Sequence, residues 1–81
     1  MNYFISKPKS KKNDKTVENE IIKCIKSANI VENIELADEI VFCKGWTRSK
    51  ICMEHYEYAR IHHIKTSEWY YYTDKYKVHL N

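Results

Sequence analysis

A near-continuous apolar run, "EIVFC" at residues 39 to 43, constrains the fold of this 81-residue chain more than any other feature. Such a run is typical of a parallel β-strand that is covered on both faces. The only glycine of the chain, Gly45, follows the run, and a helical pattern extends from Ser49 to about His62. A strand that leads through a tight turn into a helix predicts an α/β layer fold with right-handed βαβ connections.

The N-terminal segment "NYFIS", residues 2 to 6, predicts another buried strand because it is aromatic and β-branched, and Pro8 turns the chain off its end. Asn13 or Asp14 can cap the helix that the apolar spacing predicts from about Lys15 to Ala28. The apolar positions of this helix fall on one stripe, which is expected to cover a face of the sheet: Val17, Ile21, Ile22, Ile25 and Ala28.

Two segments complete the predicted domain. "NIVENIELADE", residues 29 to 39, predicts a second short helix or a turn, and the tail at residues 64 to 81 predicts a hairpin or two strands. The chain therefore predicts a single α/β domain over residues 1–81, with flanking helices and a C-terminal β-rich tail. A domain this small buries a modest share of its surface, which favours a homo-oligomer.

Composition argues against several classes of protein. Three cysteines without CxxC spacing disfavour a disulfide scaffold and a zinc site, and we expect Cys24, Cys43 and Cys52 to pack as reduced, small apolar side chains. His55 and His62 share a helix face, but no third metal ligand accompanies them, so no metal or other cofactor is expected. No signal peptide or long apolar segment is present, which predicts a cytoplasmic protein without a membrane partner.

Basic residues concentrate in one loop although the net charge is only +3. Five lysines lie within nine positions: Lys7, Lys9, Lys11, Lys12 and Lys15. A solvated loop and an anion site, most simply for phosphate, both remain open as interpretations. Nucleic acid is disfavoured as a partner because the basic run is short and no motif for reading bases accompanies it.

The ends of the two N-terminal strands are the expected place for a ligand, because α/β sheets bind ligands at the carboxyl ends of their strands. Gly45 lacks a Cβ, so a ligand or a neighbouring backbone can approach it closely. Glu54 lies about one and a half turns into the following helix, from where it can point back over the strand ends. The alternative is structural: Gly45 makes a turn, Trp46 anchors the core, and Glu54 is a solvated helix residue.

Several short motifs recur in the order and spacing of a known superfamily: Ser6 and Pro8, Ala37 and Asp38, Ile40 to Phe42, Gly45 and Trp46, Ser49, Glu54 and Ala59. In these motifs the chain resembles the nucleoside 2-deoxyribosyltransferase-like superfamily, above all its short phage and bacterial members of unassigned role. The resemblance implies a Rossmann-like α/β fold that assembles as oligomers. It also implies that Glu54 attacks or stabilises the anomeric carbon of a sugar, or binds ribose hydroxyls without a reaction.

The chain departs from the superfamily in ways that favour binding over catalysis. Its middle section is cut to about "NIVENIEL", the loop after Pro8 is rich in lysine, and Lys50 replaces a glycine near the helix start. The first hypothesis is therefore a binder of a nucleotide or ADP-ribose-like ligand, such as a phage protein that sequesters a nucleotide signal of a host defence system. Its predicted contacts to ribose, phosphate and base come from these residues: Ser6, Lys7, Pro8, Lys9, Gly45, Trp46, Arg48, Ser49, Glu54 and Tyr56.

Two other hypotheses come from different classes of function. One is a nucleotide N-glycosidase or deoxyribosyltransferase that uses Glu54 as its nucleophile. The other is an inhibitor that docks on a protein through an aromatic patch of the tail formed by Trp69, Tyr70, Tyr71, Tyr72 and Tyr76. The favoured alternative for these aromatic residues is that they cover the core or a homo-oligomer interface.

Overall fold

The computed structural model of the chain describes residues 1–11, 13–69 and 78–80. Its described helices and strands are, in chain order, β1 (Asn2–Ser6), α1 (Thr16–Cys24), β2 (Asn29–Val31), β3 (Glu39–Cys43), α2 (Lys50–His62), β4 (Lys65–Trp69) and β5 (Val78–Leu80). The strands form one sheet in the order β2-β1-β3-β4-β5. β1 to β4 are parallel, and β5 pairs antiparallel with β4. The predicted α/β fold is confirmed at this level.

The central strand β3 explains why its sequence is apolar at nearly every position. All five of its residues are buried. Ile40 and Phe42 pack in a cluster with Cys52 of α2, whereas Val41 and Cys43 pack in the cluster that contains Val17 and Ile21 of α1. Successive side chains of a strand point to opposite faces, so α1 and α2 cover opposite faces of the sheet. β3 therefore has no solvated face that would call for polar residues.

The strand order shows that the two helical connections diverge. From β1 the chain passes through α1 to β2 on one side, and from β3 it passes through α2 to β4 on the other side. β1 and β3 are neighbours, with Ile5 paired to Val41 and Ser6 paired to Phe42. The boundary between these strands is therefore a topological switch point, where α/β sheets form a crevice at the strand carboxyl ends.

The region between α1 and β3 differs from its prediction. α1 ends at Cys24 because the following residue, Ile25, is extended at φ −123° and ψ 102°, so the prediction of a helix to Ala28 was wrong. The segment predicted as a short helix or turn begins with strand β2 and continues with a 3₁₀ turn at Ile34–Leu36. β2 has only three residues, too few for a periodic pattern to distinguish it from a turn.

Individual residues of α1 also require correction. Ile22 is 53% exposed, so the buried face of α1 is narrower than the five apolar positions predicted for it. Val17 and Ile21 provide its buried apolar contacts. Cys24 is exposed rather than packed, whereas Cys43 and Cys52 are buried as expected. The cap prediction was wrong, because the N-cap of α1 is Lys15 and its side chain makes no capping hydrogen bond. Asp14 precedes the cap, and its Oδ1 accepts a hydrogen bond from the backbone N–H of Thr16 at 2.9 Å.

β4 and β5 lie within the tail and pair with each other, with Ser67 opposite Leu80. Residues 70–77 lie outside the described residues, so the β-rich tail as a whole stays a prediction, as do the roles of Tyr70, Tyr71, Tyr72 and Tyr76. Trp69 is 4% exposed and belongs to the α1-side core, so it is not part of an exposed aromatic patch. Within the described part of the chain, neither helix combines the length and apolar character needed to span a membrane.

Candidate functional site

An open cleft of about 940 Å³ lies where the loops after β1 and β3 meet. The first loop contributes residues 7 to 10, and the second contributes Lys44, Gly45, Arg48 and Ser49. Both loops leave the carboxyl ends of adjacent parallel strands, at the boundary from which the two helical connections diverge. The cleft therefore occupies the position at which sheets of this class bind ligands.

Gly45 is required by the backbone of the second loop. Its φ of +88° lies in the left-handed region, which side chains other than glycine rarely adopt. A Cβ built on it would meet Pro8 Cγ at 3.7 Å, an ordinary contact distance, so lack of space is not the reason for glycine. The turn leads into a 3₁₀ segment, Trp46–Arg48, and Ser49 then caps α2 by accepting a hydrogen bond from the Cys52 N–H at 3.3 Å.

Basic residues outnumber acidic residues in the lining of the cleft. Five of the lining residues are basic: Lys7, Lys9, Lys44, Arg48 and Lys50. The first turn of α2, with Ser49, Lys50 and Ile51, lies in the same wall. The first backbone N–H groups of a helix lack intrahelical acceptors and carry a partial positive charge. The wall therefore presents both side-chain and backbone donors to an anion.

A carboxylate of α1 already neutralises Lys7. Its Nζ donates to Glu18 Oε2 at 2.8 Å and to the carbonyl of Asp14 at 2.8 Å. The two side chains are only 12% and 11% exposed, so this ion pair is shielded from solvent. Lys7 lies in the cleft as predicted, but its charge is shared between the cleft and α1.

Glu54 is the one carboxylate among the described residues that line the cleft. It is exposed, and it lies one turn of α2 beyond Lys50 and Ile51, which belong to the same wall. The position agrees with the expectation that Glu54 overlooks the strand ends. Its carboxylate can accept hydrogen bonds from hydroxyl groups of a ligand whose anionic part lies against the cations.

Ser6 and His55 form a polar pair beneath the cleft. Ser6, at the end of β1, is fully buried, and its Oγ lies 2.8 Å from His55 Nδ1. The imidazole also meets the ring of Phe4 edge-on, with centroids 4.8 Å apart, and lines the cleft. Burial lowers the pKa of His55 below its ordinary value, and the neighbouring charge of Glu54 opposes this shift. Ser6 is not itself a lining residue, and it contacts the lining residue His55.

Trp46 and Tyr56 pack on the α2 face of the sheet and are not among the lining residues. The Trp46 ring lies 4.6 Å from Phe42 and 5.4 Å from Tyr56, centroid to centroid. Its Nε1 donates to Glu68 Oε2 at 2.8 Å. These contacts agree with the alternative that Trp46 anchors the core. They do not bring either ring to the cleft, where the prediction had them stack on a base.

The structure brings together seven of the ten predicted site residues: Lys7, Pro8, Lys9, Gly45, Arg48, Ser49 and Glu54. The sequence prediction did not include the other lining residues: Ile5, Ser10, Lys44, Lys50, Ile51 and His55. For His55 a signal existed, because Cys52, His55 and Ala59 have the spacing of a helix face that packs on a sheet. Its partner Ser6, 49 positions away, carries no such signal.

Among the described residues, no group of three or more His, Cys, Asp or Glu side chains is arranged to hold a metal ion. Comparisons of the chain with models of protein families, with curated proteins and with solved structures find no match. The function must therefore be argued from the cleft itself.

Proposed function

We propose that the protein binds a nucleotide or an ADP-ribose-like ligand in the cleft between the loops after β1 and β3. One observation carries the proposal: a cationic cleft with a single described carboxylate lies at the carboxyl ends of the two strands from which the helical connections diverge. Phosphates need cations and N–H donors, and a ribose needs an acceptor for its hydroxyls. The lining of the cleft supplies both kinds of group.

The phosphates of the ligand would bind where the charge is concentrated. Arg48 and Lys50 flank the cap of α2, and Lys9 lies in the facing loop. The amide groups of Lys50 and Ile51, in the first turn of α2, add uncharged donors at the positive end of the helix. Arginine can bind a phosphate through two parallel hydrogen bonds, so Arg48 is the expected main contact.

The sugar would bind beside the phosphates, against Glu54. The carboxylate projects from the turn of α2 that follows the anion-binding N-terminus, so a ligand that extends along the cleft from Arg48 would reach it. The apolar side chains of Ile5, Pro8 and Ile51 in the same lining offer a surface for a flat base.

The finer description of the fold and the biological role belong to the same proposal. The divergent connections and the helices on opposite faces support the description of the sheet as a shortened Rossmann-like fold. The small size and the cationic site, with the superfamily resemblance, favour a phage protein that sequesters a nucleotide signal of host defence in the host cytoplasm. Exposed Met53 and Ile61 of α2, which are 40% and 63% exposed, support self-association as a homo-oligomer.

The test is a thermal-shift screen of the wild-type protein and Glu54→Gln against nucleoside monophosphates, nucleoside diphosphates and linear and cyclic ADP-ribose compounds. Each mixture is then separated by chromatography. We expect a rise in melting temperature with the ligand recovered intact, and a smaller rise in Glu54→Gln. Isothermal titration that detects no binding of any of these compounds would disprove the proposal.

The exposed position of Glu54 in the cleft favours a nucleotide N-glycosidase as the second candidate. Its carboxylate would form a bond to C1′ of the sugar while the bond from C1′ to the base breaks, and the base would take a proton from water. A second water would then hydrolyse the sugar–Glu54 ester, which releases the sugar phosphate and regenerates the carboxylate. Base released by the wild-type protein but not by Glu54→Gln would support this candidate over simple binding.

A further inference from the structure

His55 is held in one orientation by residues of β1. Its Nδ1 lies 2.8 Å from the hydroxyl of Ser6, which is fully buried, and Phe4 packs edge-on against the ring. With Nδ1 engaged below the cleft, Nε2 is the ring nitrogen that remains for a ligand. His55 itself belongs to the lining of the cleft. A histidine with one nitrogen fixed by a buried hydroxyl and its ring in a cationic cleft is placed to contact an anion.

We propose that His55 is a ligand-contacting residue whose Nε2 donates a hydrogen bond to a phosphate oxygen, and that the negative charge of the phosphate makes this side chain take up a proton on binding. The inference rests on the proposed function, because it assumes that a phosphate-bearing ligand occupies the cleft. It adds a contact, and a dependence of affinity on pH, that the cationic lining alone does not imply.

The charges around His55 indicate why proton uptake accompanies binding. In the free protein, burial disfavours the imidazolium. The basic residues that line the same cleft are Lys7, Lys9, Lys44, Arg48 and Lys50. Glu54 is the charged neighbour that favours the imidazolium, while Ser6 and Phe4, the contacts from β1, carry no charge. A bound phosphate places negative charge beside the ring and accepts a hydrogen bond from Nε2. Both effects raise the pKa of His55 in the complex.

The direction of the pH dependence follows from this difference. Because the bound state holds the proton more tightly, the affinity is greatest below the pKa of His55 in the free protein. It falls as the pH rises through the pKa of His55 in the complex. The total loss of affinity is about tenfold for each unit by which binding raises the pKa.

ADP-ribose is a suitable probe because its two phosphates form a diphosphate diester, which does not itself titrate near neutral pH. Isothermal titration between about pH 5 and pH 8, in paired buffers of different ionisation enthalpy, measures both the affinity and the number of protons taken up. We expect the affinity to fall with rising pH and proton uptake to be greatest midway through that fall.

Two substitutions of His55 separate its contacts. His55→Asn places an amide group near the position of Nδ1, where it can still meet Ser6, and His55→Gln places an amide group near the position of Nε2. Neither side chain titrates, so both variants are expected to bind ADP-ribose with little pH dependence and no proton uptake. His62→Asn, at an exposed position of the same helix, is the matched control and should keep the wild-type profile.

Glu54→Gln measured in the same way separates the carboxylate from the imidazole, because its residual pH dependence belongs to His55. Proton uptake that disappears in both His55 variants supports the inference, and if only one of them folds, that variant decides. A wild-type affinity that does not change with pH, or a profile that persists without His55, overturns the inference and leaves the proposed function standing. An absence of ADP-ribose binding at every pH overturns both.

Discussion

The two ends of the sheet use polar side chains in opposite ways. At the amino ends of the strands, Asp38 Oδ2 accepts a hydrogen bond from the Asn2 N–H at 2.7 Å, and Glu39 accepts one at 2.7 Å from Ser67 in the middle of β4. At the carboxyl ends, the cations of the two loops and Glu54 line an open cleft. Polar groups at the amino ends stabilise the fold by binding one another, whereas many of those at the carboxyl ends line a cleft that is open to a ligand.

The motifs in which the chain resembles the superfamily lie at both ends of the sheet. The Ala-Asp motif lies at the amino end, where Asp38 and Asn2 exchange hydrogen bonds, since the Asp38 N–H also donates to the Asn2 carbonyl at 2.8 Å. Gly45 and Glu54 lie at the carboxyl end. Substitutions at the amino end should therefore change the free energy of unfolding, and those around the cleft should change the affinity for a ligand.

The largest effect is expected from reversing a charge in the cleft. Arg48→Glu removes the expected main phosphate contact and adds a repulsive carboxylate, so we expect the affinity for ADP-ribose to fall by about 100-fold or more, since a hydrogen bond to a charged group contributes about 1.5–3 kcal/mol. Isothermal titration measures the change. Arg60→Glu makes the same change in net charge at an arginine that pairs with Glu57 outside the cleft, and it should bind almost normally. Equal losses in the two variants would mean that net charge, not the cleft, attracts the ligand.

At the opposite end of the sheet, Ser67→Ala should lower the free energy of unfolding by about 2 kcal/mol, because it removes a hydrogen bond from the buried Glu39 carboxylate. Chemical denaturation measures this difference. Ser27→Ala, at an exposed position, should change the stability by less than about 0.5 kcal/mol. ADP-ribose affinity should be unchanged in Ser67→Ala, and a large loss of affinity would contradict the division between the two ends.

Gly45→Ala should have a smaller effect on stability, a loss of about 1 kcal/mol, because the substitution forces a side chain into the left-handed region at φ +88°. Asparagine enters this region more readily, so Gly45→Asn should be destabilised less. Thermal and chemical denaturation of the two variants show which has the lower free energy of unfolding. If both substitutions lower the free energy of unfolding by the same amount, the left-handed backbone is not the reason for glycine at this position.

The smallest expected effect is the acid sensitivity that His55 gives to the fold. Its pKa in the folded protein lies below the ordinary value, so the unfolded chain binds the proton more tightly. The stability contributed by the neutral imidazole is present above the unfolded pKa of about 6.5. It declines as the pH falls from there towards the folded pKa. Denaturation over this range should show a shallower decline for His55→Gln, and an unchanged decline would assign the acid sensitivity to other groups.

Sequence reasoning predicted elements with strong local signals. β1, β3 and α2 follow from an aromatic and β-branched segment, a continuous apolar run and a capped helical pattern, and their bounds agree closely with the structure. β2 could not be recognised because three residues become a strand only through pairing with β1. The end of α1 was placed too late because Ile25 and Ala28 keep the helical spacing, although Ile25 is already extended.

The site was predictable where it depends on the order of loops and strands. The ends of β1 and β3 are adjacent in any sheet of this topology, so Lys9, Gly45 and Glu54 could be expected around one cleft. The packing of individual rings was not predictable in the same way. Trp46 contacts Phe42 and Glu68, and His55 contacts Ser6. These contacts depend on how α2 packs against the sheet.

The Lys7–Glu18 ion pair gives the cleft a counterion that belongs to the protein itself. An incoming phosphate at Lys7 meets a carboxylate that is fixed by α1, and no change in buffer can dilute this carboxylate. The weakening of binding by added salt should therefore be less steep than the five basic residues of the lining imply. Glu18→Gln removes this carboxylate, so added salt should then weaken binding more steeply, because it also screens the attraction between Lys7 and the phosphate.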